Sequence, residues 1–552
     1  MKLKIEMTGR EPFFREYESP VSIREIADEL QEEQPYRFVC ARFERHLKRL
    51  NDVISRSGTL ELLDMRDSDG KMCYQASLTL LFCKAVRDIA GTEVTVRVNN
   101  SLSKGLYITL KGVAIDEALA ENISKRMREL VERKIPIEYR MAHHETIVDE
   151  LKVYKREDLL EWFEMTPDLE IIHLYSIEDC VWAFSDQLVP DTGYIDLFEL
   201  SVYKFGLLLR FPHTLNPSVV PPFQEQKIIY DAFSEERQWS KVTGIRVASD
   251  LNRVILNNEY KDLILLCEAL HEKKIAKIAE TIVEQGKQVI LIAGPSSSGK
   301  TTFANRLCIQ LRASKLKPLY IGTDDYFLDR SQTPLGPDGK PDFEGLSALD
   351  RDLLNRDLEA LMKGEKVDIP SFSFKDGVKE FGKRITRINP GQPIVIEGLH
   401  CLNPVLTAHI PDDVKFRIYI SPLTQLSIDR HNRIPTTDAR MLRRIVRDAQ
   451  FRGYSADMTI DIWPKVNRGE DTNIFPYSVC ADAFFNSSSV YELAILKRFA
   501  KPQLERITDR QPQFAEAQRL LRMLKYFVTI EEDHLIPNNS ILREFIGGSV
   551  IV

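Results

Sequence analysis

The N-terminal stretch changes its hydrophobic pattern several times within 70 residues. Strand-like alternation at Lys2–Met7 breaks at Gly9, and helical spacing follows at Val21–Ala27. The pattern closes at Leu60–Asp64, before the polar turn Asp67–Gly70. A small mixed α+β module is therefore predicted at the N-terminus.

Two further mixed stretches follow this module. The first, from about Cys73 to Arg140, predicts a buried helix, a strand and an amphipathic helix at Leu78–Phe82, Val94–Val98 and Asp116–Lys134. The second, up to about Gln285, contains no chemical motif, and it predicts strands and a long helix at Gly193–Leu200, Gly206–Phe211 and Leu263–Glu284.

The pattern then becomes that of a parallel sheet flanked by helices. Short apolar bursts alternate with helical stretches, and the bursts lie at Val289–Ala293, Leu319–Ile321, Ile394–Ile396 and Phe416–Ile420. This alternation is typical of α/β domains. Helical spacing returns at Phe514–Tyr526, where packing on the core is favoured over a partner surface.

Composition narrows the class of protein. A chain of 552 residues predicts three to four domains at roughly 150 residues each. With 75 Lys and Arg against 82 Asp and Glu, the net charge of −7 gives no global attraction to nucleic acid or to an anionic membrane. The eight cysteines form no C-x-x-C pair, and no signal peptide or membrane-spanning run is recognised. We expect a cytoplasmic protein with no membrane partner.

One motif carries clear chemistry. Directly after the strand Val289–Ala293, the sequence GPSSSGKT matches G-x-x-x-x-G-K-[ST] at every fixed position. The predicted ATP-binding residues are Gly294, Pro295, Ser296, Ser297, Ser298, Gly299, Lys300, Thr301 and Thr302. A chance Gly/Ser-rich turn is disfavoured because a strand precedes the loop and a helix follows it.

The spacing of this loop assigns roles to its residues. Loop N–H groups cradle phosphates, Lys300 reaches the β- and γ-phosphates, and the Thr301 hydroxyl can ligate Mg²⁺. The helix that begins near Thr302 directs its positive end at the same phosphates.

Carboxylates follow two of the other predicted strands. Asp324 and Asp325 follow the second strand of the sheet and Glu397 ends the third, at the edge where α/β ligands bind. Such acids accept a proton from an attacking hydroxyl or hold Mg²⁺, whereas capping of a helix is the plainer alternative. We predict that Thr301, Asp324 and Glu397 surround the metal; which aspartate is the base stays open.

An arginine stripe is the third element. Arg440, Arg443, Arg444 and Arg447 fall on one helical face, with Met441, Leu442, Ile445 and Val446 on the other. A solvated basic face is the ordinary interpretation of such a stripe. Four guanidinium groups without an acid on that face, in an acidic protein with a phosphate loop, instead favour contact with triphosphate.

These motifs resemble the phosphoribulokinase and uridine kinase branch of P-loop kinases over about Gln288–Arg498. The resemblance rests on several segments in the family's order: GPSSSGKT, Thr323–Phe327, Asp342–Glu344, Ala348–Asp350, Ile369–Phe374, IVIEGLH and the lid-like Arg440–Gly453.

The resemblance implies Mg-ATP-dependent phosphorylation of a hydroxyl on a small molecule, most naturally the 5′-hydroxyl of a uridine- or cytidine-like nucleoside. It makes Lys300, Asp324, Arg443, Arg444 and Arg447 the catalytic set. It makes Asp325, Tyr326, Glu344 and Phe372 the substrate-binding set. Two positions depart from the family: the base-reading histidine is absent from Lys375–Lys379, and the ribose acid is Glu344 rather than Asp.

The N-terminal half carries a second resemblance. Residues 1–64 are similar to a TGS domain, a β-grasp module, and Cys73–Arg140 is similar to the editing-type domain of threonyl-tRNA synthetase through Tyr74–Leu78 and Ser101–Tyr107. The paired histidines used for editing are missing at Tyr74–Leu81, so aminoacyl hydrolysis is not expected.

The expected fold class is therefore α/β: a P-loop kinase domain with a mostly parallel sheet, preceded by a β-grasp module and an α+β domain. The predicted divisions are 1–66 (TGS-like), 67–145 (synthetase-like), 146–285 (connecting region), 286–500 (kinase) and 501–552 (helical extension). A nucleotide-sensing regulator whose TGS-like domain contacts RNA or the ribosome is the alternative to an enzyme, although residues 1–140 lack a basic patch with interleaved aromatics. A homo-oligomer is left open.

Overall fold

The structure is a computed structural model that describes all residues except 144–146, 148–150, 152–156, 167, 337, 338, 340, 374 and 425, and the side chains of residues 157, 158 and 161. The predicted boundary at 145/146 lies on residues outside this description.

A five-stranded sheet opens the chain. The first seven strands are β1 (Lys2–Met7), β2 (Arg10–Glu16), β3 (Val21–Ser22), β4 (Cys40–Phe43), β5 (His46–Lys48), β6 (Val53–Ile54) and β7 (Gly58–Leu63). The sheet order is β2-β1-β7-β4-β5, with β1 parallel to β7, and β3 pairs with β6. The helix predicted from Val21 begins later, as α1 (Ile23–Leu30), because Ser22 caps it and accepts from the Glu25 N–H.

The next elements are α2 (Ser68–Ala90), β8 (Thr95–Leu102), β9 (Gly105–Lys111), α3 (Glu117–Glu132) and β10 (Glu138–His143). The predicted turn Asp67–Gly70 is wrong: Asp67 is the N-cap of α2, and its side chain accepts from the Asp69 N–H. The predicted helices within α2 and α3 and the strand within β8 are confirmed.

A mixed region follows, with α4 (Glu157–Glu164), β11 (Ile171–Ile177), β12 (Cys180–Ala183), β13 (Glu199–Tyr203) and β14 (Gly206–Arg210). The sheets are β10-β11-β12 and β13-β14-β9-β8, so residues 199–210 pair with residues 95–111 in one sheet. The predicted strand Gly193–Leu200 is wrong over most of its length, because Asp191 caps a short 3₁₀ turn at Thr192–Tyr194.

Three helices lead into the second half: α5 (Lys227–Thr243), α6 (Ala248–Leu256) and α7 (Tyr260–Glu284). The buried faces of α6 and α7 share one apolar core with the helices of the second half. The core members include Leu251, Ile264 and Ile275 with Leu307, Leu442 and Leu520.

The second half is built on a parallel five-stranded sheet. Its strands β15 (Val289–Ala293), β16 (Leu319–Gly322), β21 (Ile394–Glu397), β22 (Lys415–Ser421) and β23 (Ala483–Asn486) have the order β16-β21-β15-β22-β23. Between them lie the short strands β17 (Val367–Asp368), β18 (Ser371–Ser373), β19 (Val378–Glu380) and β20 (Ile385–Thr386). The four predicted strands are confirmed, and β23 is an addition. The fold is α/β.

Seven helices surround this sheet. They are α8 (Lys300–Ala313), α9 (Arg351–Met362), α10 (Thr436–Phe451), α11 (Ala456–Asn473), α12 (Glu492–Leu504), α13 (Phe514–Leu524) and the short α14 (Arg543–Ile546). The predicted helix at Phe514 is confirmed as α13, whose apolar face lies in the core. No helix among the described residues combines the length and the apolar character needed to cross a membrane.

Candidate active site

The phosphate loop connects β15 to α8 in a strained path. Gly294 is required because a Cβ there would lie 2.1 Å from the Ile420 carbonyl oxygen of neighbouring β22. Ser297 and Gly299 both adopt left-handed backbone, with φ of 58° and 83°. These turns direct successive backbone N–H groups of the loop inward, ahead of the first turn of α8.

The loop leaves a set of donors unused. Within the described part of the chain, the backbone N–H groups of Ser297, Gly299, Lys300 and Thr301 make no hydrogen bond. The hydroxyl groups of Ser297 and Ser298 are also buried without a partner. Buried donors of this kind are normally satisfied, so the unused set fits the phosphate oxygens of a bound nucleotide.

Two strand ends bring acids to the loop. Glu397, the last residue of β21, is in register with Ile292 of β15 and with Gly322 of β16. Asp324 lies in the 3₁₀ turn that follows β16. Thr301 donates its hydroxyl to Glu397 at 3.5 Å, and the Tyr320 hydroxyl donates to the same oxygen at 3.2 Å. Thr301 and Glu397 are therefore adjacent at the carboxyl edge of the sheet.

The charges in this site are coupled. Burial raises the pKa of Glu397 to about 7, Lys300 opposes the shift, and Asp324 adds to it. Burial also raises the pKa of Asp324, again against Lys300. Lys300 itself donates to the Pro295 carbonyl at 3.4 Å. Lys300, Asp324 and Glu397 thus act on one another in a single cluster of charges, in which Asp324 is exposed and the other two are half-buried.

This donor set fits Mg²⁺ held jointly with phosphates. Thr301, Asp324 and Glu397 supply hard oxygen ligands, and Mg²⁺ commonly binds through one or two carboxylates plus substrate phosphates. Among the described residues, no group of three or more His, Cys, Asp and Glu side chains could hold a metal by itself. A metal at this place would therefore depend on the nucleotide for its remaining ligands.

Two carboxylates from distant segments already contact donors of the loop. Glu470 of α11 accepts from the Ser296 N–H at 2.9 Å. Glu544 of α14 accepts from the Thr302 hydroxyl at 2.6 Å and from the Thr302 N–H at 3.3 Å. A Cβ on Gly299 would lie 2.4 Å from Cγ2 of Ile541, so the C-terminal segment packs directly on the loop.

Half of the predicted arginine stripe faces inward. Arg440 and Arg443 are each 1% exposed; Arg440 pairs with Glu470, and Arg443 pairs with Glu492 at 2.6 Å. Both also donate to loop carbonyls, at Ser296 and Ser297 respectively. We expected these two arginines to face triphosphate without an acid beside them. This expectation is wrong for Arg440 and Arg443, because acids of other helices pair with them.

The other two arginines lie closer to the cleft. Arg444 donates to the Ser296 hydroxyl at 2.9 Å and to Asp448 at 3.2 Å, and Arg447 donates to Asp448 at 2.9 Å. Arg452 is 3.6 Å from the same aspartate and lowers the pKa of Asp324 against the effect of burial. Arg444, Arg447 and Arg452 thus share Asp448, and Arg452 is the most exposed of the three.

The predicted substrate-binding residues separate into two groups. Asp325 pairs with Arg384, and Tyr326 is fully buried with its hydroxyl 3.1 Å from Asp357. Tyr326 was expected to contact the substrate. Its side chain is instead packed in the interior, and its hydroxyl donates to Asp357.

Glu344 and Phe372 form the second group. Glu344 is half-buried; burial raises its pKa, and Arg444 and Lys300 oppose that shift. Phe372 packs against Phe327 with ring centroids 5.7 Å apart. Buried His400 is near Glu344, and burial lowers its pKa to about 4.

Comparison with known proteins places this site in a family. The model of the phosphoribulokinase/uridine kinase family matches residues 289–494. Uridine kinase of Chloroflexus aurantiacus is 30% identical over 174 residues, which is 31% of this chain and 73% of that protein. The chain belongs to the phosphoribulokinase/uridine kinase family. Uridine kinase of Escherichia coli K12 is 29% identical over 193 residues, 34% of this chain and 81% of that protein.

Among solved structures, a possible uridine kinase from Bacillus stearothermophilus matches with 20% identity and a TM-score of 0.26, over 39% of this chain and 97% of that one. Membership of the phosphoribulokinase/uridine kinase family identifies the chain as an ATP-dependent kinase with ATP and Mg²⁺ as its cofactors.

Several residues of this family site were not found from the sequence. Glu470, Glu544 and Arg384 contact the loop or its acids from segments far along the chain, and no local pattern marks them. Arg452 had a signal, since it stands four residues after Asp448 on the lid-like helix.

Proposed function

We propose that the chain transfers the γ-phosphoryl group of Mg-ATP to a hydroxyl of a small molecule, most naturally the 5′-hydroxyl of a uridine- or cytidine-like nucleoside. The observation that carries the proposal is the set of unused N–H groups of the loop next to the charged cluster of Lys300, Asp324 and Glu397. Phosphoryl transfer depends mainly on positioning and charge neutralisation, and this arrangement provides both.

The loop residues bind and orient the phosphates of ATP. The N–H groups of Ser297, Gly299, Lys300 and Thr301 hold the phosphates, with Gly294, Pro295, Ser296, Ser298 and Thr302 shaping the remainder of the cradle. The Lys300 ammonium exchanges the Pro295 carbonyl for phosphate oxygens. Bound Mg-ATP supplies the phosphoryl group and the divalent charge.

Asp324 moves the proton. Its raised pKa, caused by burial, brings the carboxylate nearer to the range in which an acid serves as a base at neutral pH. In this proposal the Asp324 carboxylate accepts the proton of the acceptor hydroxyl. Asp324 also holds the metal, together with Thr301 and Glu397. Asp325 is less suited to this task because Arg384 already pairs with it.

The lid-like helix neutralises charge at the transferring group. Arg444 and Arg447 are assigned this role, with Arg452 as an additional member, because these three reach the loop or Asp324 while sharing one aspartate. Arg443 positions the loop through the Ser297 carbonyl.

A nucleoside acceptor is supported by Glu344 and Phe372. Glu344 presents a carboxylate suited to ribose hydroxyls, and Phe372 offers an aromatic edge for a base. The absent histidine at Lys375–Lys379 means that the base is read by other groups, and His400 beside Glu344 is one candidate. Uridine kinase relatives support the same acceptor class.

The N-terminal half is proposed to keep the divisions given by the sequence: TGS-like residues 1–66, synthetase-like residues 67–145 and a connecting region 146–285, before the kinase domain 286–500 and the extension 501–552. The parallel β1/β7 pair with α1 supports a β-grasp module. We propose a cytoplasmic enzyme that acts on a small molecule.

The direct test is ADP release by the intact chain with Mg-ATP and a panel of ribonucleosides, with Asp324→Asn as the blank. A nucleoside-dependent signal that disappears in this variant supports the proposal. A nucleoside-dependent signal retained by folded Asp324→Asn contradicts it.

A further inference from the structure

A second concentration of positive charge lies outside the kinase site. A cavity of about 320 Å³ opens where β8, the junction of α5 and α6, and the loop after β22 meet. Four cations line it: Arg97, Lys241, Arg246 and Arg430. They come from chain segments more than 300 residues apart, so the fold, rather than a local run of charge, gathers them.

The two acids in this cavity are already used by the backbone. Asp250 accepts from the N–H groups of Arg246 at 2.9 Å and Val247 at 3.1 Å. Asp429 accepts from the N–H groups of His431 at 2.7 Å and Asn432 at 2.8 Å. Their carboxylates stabilise turns, and both also favour the charged form of Arg97, so they offset part of the positive charge in the cavity.

Three of the four cations have no acid as an ion-pair partner among the described residues. Arg97, Lys241 and Arg246 form no ion pair shorter than 4.0 Å with any acid in the described part of the chain. Burial lowers the pKa of Arg97, and nearby Arg246 and Arg430 lower it further. Cations that lie this close together repel one another, and an anionic ligand between them would offset this repulsion. The cluster stands out because the protein as a whole has a net charge of −7.

We propose that this cavity binds a small phosphorylated ligand, with Arg97 and Arg246 as its main phosphate contacts. Guanidinium groups match phosphate oxygens in paired geometry, and the cavity volume lies at the lower end for small-molecule sites. The site is separate from the phosphate loop and does not depend on the proposed reaction.

The cavity also joins parts of the molecule that the kinase domain alone does not contain. The Val98 N–H donates to the Arg430 carbonyl at 2.9 Å, and the Ala248 N–H donates to the Ser427 carbonyl at 2.9 Å. A ligand held by Arg97, Arg246 and Arg430 would therefore link the N-terminal half to the segment that precedes the lid-like helix α10.

The test is the binding stoichiometry of labelled inorganic pyrophosphate on the intact chain, measured by equilibrium dialysis at low salt. We expect two equivalents for the wild-type chain. One equivalent is expected for Lys300→Ala, which impairs the phosphate loop, and one for Arg97→Gln/Arg246→Gln. No bound pyrophosphate is expected for the variant that combines Lys300→Ala with Arg97→Gln/Arg246→Gln.

The matched control is Arg133→Gln/Arg356→Gln, which removes two exposed arginines elsewhere and is expected to keep two equivalents. Circular dichroism and thermal unfolding establish that each variant is folded. Two equivalents retained by folded Arg97→Gln/Arg246→Gln would overturn the proposal, as would a single wild-type equivalent that Lys300→Ala abolishes. If only the assignment of the phosphate loop is wrong, Lys300→Ala keeps two equivalents, whereas Arg97→Gln/Arg246→Gln still loses one.

Discussion

The carboxylate of Glu544 accepts hydrogen bonds from both the hydroxyl and the N–H of Thr302, at 2.6 and 3.3 Å. Thr302 stands in the first turn of α8, where nucleotide phosphates bind in P-loop proteins. A side chain from the end of the chain thus uses the same donors and carries the same sign of charge as a phosphate. We therefore expect nucleotide and Glu544 to compete for this place.

Removal of the Glu544 charge should therefore tighten ATP binding. A charged hydrogen bond contributes roughly 1.5–3 kcal/mol, and its loss predicts a decrease of about tenfold or more in the Kd for ATP of Glu544→Gln. Calorimetric titration measures this directly. Glu531→Gln removes an exposed carboxylate that pairs with Arg498 and should leave the Kd unchanged. Equal affinity in Glu544→Gln and the wild-type chain would contradict the competition.

The arginines of α10 should divide by function. Arg443→Ala leaves buried Glu492 unpaired, which predicts a loss of about 3–5 kcal/mol in the free energy of unfolding, measured in urea. Asp448 keeps Arg444 and Arg452 when Arg447 is removed, so Arg447→Ala should lower that free energy by less than Arg443→Ala does, while turnover falls strongly. An Arg447→Ala protein with wild-type turnover would remove it from the transfer site.

The pH dependence follows from Glu397. Burial raises the pKa of this carboxyl to about 7, and only its ionised form can hold a metal. We predict that kcat/KM, which reports groups of the free enzyme, rises with pH and reaches half of its plateau near pH 7. In Glu397→Gln this limb should be absent and the activity low. A flat wild-type profile from pH 5 to 8 would contradict the role of Glu397.

The same carboxyl should affect stability with the opposite sign. Since its pKa is above the ordinary value of 4.5, the folded chain keeps a proton that the unfolded chain has released between about pH 4.5 and 7. Its contribution to stability therefore falls as the pH rises through this window. The difference in Tm between Glu397→Gln and wild type should move in favour of the variant from pH 4 to pH 8. No such change between the two proteins would contradict the raised pKa.

A substitution of Glu344 tests the proposed contact with the acceptor without changing the ATP site. Glu344→Gln should raise the KM for the nucleoside about tenfold or more, because a charged hydrogen bond to the acceptor is lost. The KM for ATP should stay within about twofold, and Glu365→Gln, which lies on the surface beyond α9, should change neither constant. A change confined to the KM for ATP would place Glu344 on the nucleotide side instead.

The sequence alone predicted the parts of this molecule that depend on short-range spacing. Strand Val289–Ala293, the loop motif and Glu397 at a strand end could be found because parallel strands bring their carboxyl ends to one edge. The helical period also predicted that Arg440 and Arg443 share a face. It could not reveal that this face packs on Glu470 and Glu492, since those acids lie in other helices.

The remaining differences have the same origin. The contact between Glu544 and Thr302 joins residues far apart in the chain, and Tyr326 is buried because Asp357 of α9 receives its hydroxyl. The pairing of β9 with β14 joins residues on both sides of a predicted boundary. Tertiary packing decides these contacts, and local periodicity carries no information about them.

The measurement that tests the central claim most directly is ADP release with Mg-ATP across ribonucleosides, deoxynucleosides and phosphorylated sugars, comparing the wild-type chain with Lys300→Ala and Asp324→Asn. We predict a nucleoside-dependent rate that both variants lose while their circular dichroism is unchanged. Nucleoside-dependent ADP release that persists in either folded variant, or a panel without any signal although ATP binds, would contradict the account.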